Sequence, residues 1–151
     1  MRGNKIMTDV IEPNKLDEVK INNAVKELRL FSEKIFDLIE IKFDETTELE
    51  RQVIAVFCFG AINVIIQRDD LSQPQAYALA IALLINVFKY DEGQAVPFAD
   101  DLIKATNKEN HPVMNTIIHR GIDGHYQFVE KLYGNLKSNI IDVLNVVKKK
   151  V

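Results

Sequence analysis

Apolar residues recur along this chain at helical rather than strand spacing, and Pro, Gly and Asn mark the corners between the periodic stretches. Leu16, Val19, Leu28, Ile35, Leu38 and Ile39 form one stripe and charged residues fill the other face, which predicts a first helix over about 14–41 with room for a break at Phe31-Ser32. Thr47-Glu48-Leu49-Glu50 carries the capping-box pattern and opens a second helix reaching about Arg68. Ser72-Gln73-Pro74-Gln75 repeats that pattern, with proline in the first turn, and opens a third helix ending near Lys89. The second and third helices are apolar nearly all round and are joined by the short "DDLS", so they are expected to form a central antiparallel hairpin. A fourth helix is predicted over about 94–106, before "NKENHP" breaks the chain.

The stretch from Pro112 to Lys150 is helical in pattern almost without pause. As one straight helix its 39 residues would run to about 58 Å, against an expected radius of gyration of about 15 Å. One or two bends must lie inside it, and "RGIDG" and "YGNLKSN" are the candidate places. The first suits a corner in detail. Gly121 can take the left-handed position after Arg120, Ile122 can reach back to Ile117, and Asp123 can cap a helix restarting at Gly124. The resulting expectation is a compact all-α bundle of six or seven helices, formed by residues 14–151 behind a flexible N-terminal arm, 1–13.

Composition narrows the function without naming it. At 151 residues with 47% hydrophobic and 27% charged residues the chain is long enough to bury a core. The most apolar runs, Val53–Ile66 and Ala76–Phe88, fall short of the roughly 20 residues of a membrane span, and no signal peptide is visible. Cys58 stands alone in "AVFCFGA", where a buried thiol in a reducing compartment is expected rather than a nucleophile. A cytoplasmic location follows from these readings. The net charge is −3, and more acidic still without Lys148, Lys149 and Lys150. That balance argues against a nucleic-acid binder and suits a basic protein partner.

All three histidines lie in "HPVMNTIIHRGIDGHY". His111 and His119 are about 12 Å apart along a helix, and His119 and His125 do not share a helical face, so neither pair suits one metal. The polar groups His119, Arg120, Asp123, His125 and Tyr126 can still form a contact surface. Acidic residues gather at Asp91, Glu92, Asp100 and Asp101, and Asp100 and Asp101, being adjacent, point apart on a helix. No phosphate loop, GxSxG or Cys–His arrangement is present. No catalytic residue, metal or cofactor is expected.

"LERQVIAVFCFGAINVII", "ALAIALLINVF" and "HPVMNTIIHRGIDGHYQF" together resemble the small all-α immunity proteins of bacterial polymorphic-toxin and contact-dependent growth inhibition systems, over roughly residues 45–135. The resemblance implies a protein without enzymatic activity that neutralises the C-terminal toxin domain delivered by a sibling cell. Combined with the acidic charge, it makes a cytoplasm-acting nuclease the expected toxin, blocked at its active site, with no direct contact to nucleic acid or membrane. Asp91, Glu92, Asp100, Asp101 and the five polar groups of the histidine segment are the candidate partner-binding residues. Two alternatives are a small metal-dependent or hydrolytic enzyme using His119, Asp123 and His125, and a helical ligand-sensing module with a pocket near Asn63 and Asn86.

Overall fold

The computed structural model describes residues 13–149, so the expected N-terminal arm lies outside the described residues apart from Pro13, which opens the first helix. Six α-helices follow in order: α1 (Pro13–Ile39), α2 (Glu48–Arg68), α3 (Gln73–Ala82), α4 (Glu92–Lys104), α5 (Pro112–Val129) and α6 (Tyr133–Lys149). A short 3-10 turn, Phe43–Glu45, precedes α2, and α3 runs on into a π turn, Leu83–Val87. The expected all-α architecture is the observed one.

Local sequence sets most helix starts. Thr47 and Glu50 form the expected capping box on α2, Ser72 and Gln75 repeat it on α3, and Asp91 with Gln94 supplies a third on α4. α1 is unbroken at Phe31-Ser32; Phe31 is fully buried and the Ser32 hydroxyl donates to the Arg29 carbonyl at 2.9 Å. Its buried stripe is Ala24, Leu28, Phe31 and Ile35, while Val19 is exposed, because at about 100° per residue it falls on the opposite face of α1 from Leu28.

α2 is the centre of the fold and packs against α1, α3, α5 and α6. It is buried from Val53 to Ile62 without interruption. Its length and composition would suffice for a membrane span, yet most of it is covered by the other helices. Cys58 is fully buried on it, and burial pushes its thiol well above the usual range.

The closest partner of α2 is α5, and two glycines explain how. A Cβ on Gly60 would lie 2.6 Å from the Gly121 carbonyl carbon, and one on Gly121 would lie 2.8 Å from the carbonyl carbon of Phe57 and closer still to its oxygen. The two backbones touch there. This corrects the expected corner: α5 runs straight through Gly121, Asp123 and Gly124, and no glycine has positive φ among the described residues. Gly121 is selected for the absence of a side chain, not for left-handed freedom.

The bend lies ten residues later. Lys131 takes the left-handed conformation at φ 59°. Its N–H donates to the Phe128 carbonyl at 3.1 Å, and that of Leu132 to Gln127 at 2.8 Å. This is a Schellman closure with lysine where glycine is usual. α6 then starts at Tyr133, so the second expected place, "YGNLKSN", lies immediately after the true corner.

Candidate functional site

His125 illustrates why residues adjacent in sequence part company here. It projects from α5 into an aromatic cluster, with its ring 5.7 Å from that of Phe31 and 6.4 Å from that of Phe128. The residue is only 2% exposed. Its Nε2 lies 2.6 Å from Oε2 of Glu27 on α1. Glu27 also receives Arg68 of α2, at 2.8 and 3.1 Å, and Arg68 in turn grips Asp69. The His125 hydrogen bond, aided by Arg68 and opposed by burial, holds the Glu27 carboxyl down at about 2. An ionised carboxylate can only accept, so Nε2 of His125 carries the hydrogen. The group ties three helices together. His125 is therefore part of the core and not of an accessible contact surface, a correction that follows from its turning away from the solvent side of α5.

Arg120 is engaged between helices as well. Its Nε donates to Asn139 Oδ1 at 2.7 Å, its Nη1 to Asp142 at 3.1 Å and its Nη2 to the Asn139 carbonyl, while the Asn139 amide donates back to the Arg120 carbonyl at 2.9 Å. It holds α6 against α5. His119, Asp123 and Tyr126 remain, at spacings of four and three. All three are exposed, on one solvent-facing stripe of α5, and Tyr126 keeps 62% of its surface. The enzyme alternative needs His119, Asp123 and His125 in one place, and the fold puts His125 on the opposite side. Among the described residues no group of three or more His, Cys, Asp or Glu is placed to hold a metal.

The four acidic candidates all belong to α4 and its cap, and all are exposed. Asp91 accepts from the Gln94 N–H at 2.8 Å, so it closes the helix start as well as carrying charge. Asp100 faces Tyr77 of α3, whose hydroxyl is pushed up by desolvation and by that carboxylate. Asp101 faces the other way, into a cleft. The two adjacent aspartates do point apart.

That cleft escaped sequence reasoning. It exists because α4 packs on α3 rather than on α5, leaving about 660 Å³ open above α2. Val53, Val56, Phe98, Met114 and Ile117 make its apolar lining, and Glu48, Gln94, Asp101 and His111 stand at its polar edge. Glu48 accepts from Tyr90 at 3.1 Å, from Gln52 at 3.1 Å and from Arg51. Burial, reinforced by Glu48, pushes the Tyr90 hydroxyl up to about 12. His111 caps α5, its Nδ1 accepting from the Met114 N–H at 3.2 Å. Asn63 and Asn86 do not share a pocket: Asn63 donates to the Phe59 carbonyl at 3.0 Å beside a hollow under α3, and Asn86 lines a separate one against α1.

The described residues thus define a helical protein whose polar groups either brace the helices or lie open to a partner. The chain belongs to the Immunity protein 48 family, whose pattern matches residues 24–148. No curated protein and no solved structure matches it. The family match extends the resemblance first noted over 45–135 to almost all of the described chain.

Proposed function

We propose that this protein binds and neutralises a cognate toxin domain, acting as a non-enzymatic inhibitor in the cytoplasm of the cell that makes it. Membership of an immunity-protein family carries this reading. The finer proposal is that the toxin is a nuclease forming the C-terminal domain of a larger protein, and that this chain covers its active site. The support is electrostatic. A nuclease presents a basic groove to its substrate, and four exposed carboxylates on α4, with only Lys104 against them, suit such a groove and would steer association. Asp123 on the α5 stripe adds to the same sign.

Co-expression of this chain with the toxin domain encoded beside its gene tests the reading. Protected growth, a stoichiometric complex and inhibited nucleic-acid cleavage are the expected outcome. Continued cell death with no complex would reject it, and protection without any nuclease activity in the isolated toxin would reject the nuclease assignment alone.

A further inference from the structure

The cleft between α4 and α5 has an asymmetry that the bracing networks elsewhere lack. Its floor is apolar and comes from three helices, with Val56 of α2, Phe98 of α4 and Met114 and Ile117 of α5 converging on one space. Val113 extends that apolar surface outward and is 51% exposed, although it sits on a well-packed helix. The volume, about 660 Å³, is in the range of pockets that bury a drug-sized molecule and has room for a few side chains.

Two carboxylates flank this floor, and their surroundings differ. Glu48 is taken up by Arg51, Tyr90 and Gln52. Asp101 has no cation within ion-pair distance among the described residues. An incoming group therefore meets an apolar trough with one uncommitted negative charge, that of Asp101, at its edge. An apolar side chain beside a lysine or arginine matches both features. A purely anionic ligand would be repelled, and a purely apolar one would leave Asp101 unused.

We infer that this cleft is the anchor point for the toxin: it receives a toxin segment that inserts an apolar side chain over Met114 and Ile117 and sets an adjacent lysine or arginine against Asp101. This rests on the reading of the chain as a toxin-neutralising protein and specifies which surface does the work. The inserted side chain supplies the desolvated centre that carries most of the energy in such interfaces, and the ion pair at the rim sets register.

The test uses the full chain and the toxin domain encoded beside its gene, with affinity measured by calorimetry at about 0.15 M salt. The variants are Val113→Arg, Asp101→Lys and, as a control on the exposed face of α6, Val146→Arg. All three positions are exposed, so thermal melting should show retained folding. Each cleft variant is expected to raise Kd at least about thirtyfold, the threshold of a hot-spot residue, and the control to stay within about twofold. If the wild-type chain binds and both cleft variants bind as tightly, the cleft assignment is overturned while toxin binding stands. If Val113→Arg instead abolishes a self-dimer and leaves toxin affinity unchanged, the cleft belongs to a second copy and the inference is overturned. If the wild-type chain itself does not bind, the toxin-neutralising reading falls, and the anchor with it.

Discussion

Gly121 of α5 rests directly on the Phe57 main chain of α2, with no space for even a methyl group between them. In an isolated helix, alanine is favoured over glycine by about 1 kcal/mol. Here the sign should invert. Gly121→Ala must push two backbones apart through the middle of the core and is expected to cost about 3 kcal/mol or more, beyond ordinary overpacking because the obstacle is main chain. Gly134→Ala, in the first turn of α6 with nothing within 4 Å, should be neutral or stabilising by up to about 1 kcal/mol. Urea denaturation of both variants checks the contrast, and equal effects would refute the packing argument.

Lys131 closes α5 in a conformation that costs a non-glycine residue roughly 1 kcal/mol. Lys131→Gly should therefore raise stability modestly, by about 0.5–1 kcal/mol, where the same change inside a helix would lower it. Thermal melting gives the answer.

The pairing of Glu27 with His125 and Arg68 predicts a specific acid response. The folded state holds the Glu27 carboxyl at about 2, below its ordinary 4.5, so the unfolded chain binds that proton more readily. The resulting stability is complete above about pH 4.5 and is lost as pH falls towards 2. Glu27→Gln should lower the urea midpoint near neutrality and make its decline over that window shallower. An unchanged acid limb would show that other carboxylates dominate it.

Lys148, near the chain end, reaches back 2.5 Å to the buried carboxylate of Glu50 at the start of α2. That partner, with the Thr47 N–H, holds the Glu50 carboxyl below its usual range. Lys148→Met should cost about 1–2 kcal/mol, since it leaves a buried carboxylate short of one partner. Adding salt should weaken the wild type more than the variant.

The acidic edge of α4 should act on rate more than on fold. Replacing Asp91, Glu92, Asp100 and Asp101 by Asn or Gln keeps the cap, because asparagine serves as well as aspartate there. Stopped-flow association with the toxin domain should slow about tenfold at low salt and lose much of its ionic-strength dependence. Unchanged on-rates would rule these four out as the steering patch.

The starts of α2 and α3 were legible because caps are local: Thr47 and Ser72 act within three residues of themselves. That of α4 was expected near Gln94, although Asp91 caps it in the same way. Helix ends were less legible. The corners at Glu40, Asp70, Lys89 and Lys131 all use non-glycine residues in the left-handed conformation, so no glycine marked them. The glycine that looked like a corner signal, Gly121, answers to a neighbour some sixty residues earlier in the chain. Of the candidate partner-binding residues, the α4 acids lie exposed where helical spacing puts them, whereas His119, Asp123 and Tyr126 were expected across a corner and instead share one stripe of an unbroken α5. Arg120 and His125 were taken by Asn139 and Glu27, partners that periodicity cannot name.

The sequence by itself determined an all-helical chain, the capped starts of α2 and α3, the burial of α2 and the resemblance to immunity proteins, since each rests on spacing or pattern within a short window. Only the tertiary structure decided that α2 and α5 cross at Gly60 and Gly121, that His125 belongs to the core, and that α4 and α5 leave a cleft between them. Those outcomes depend on which helix faces meet, and that is set by shape and burial summed over residues far apart in the chain.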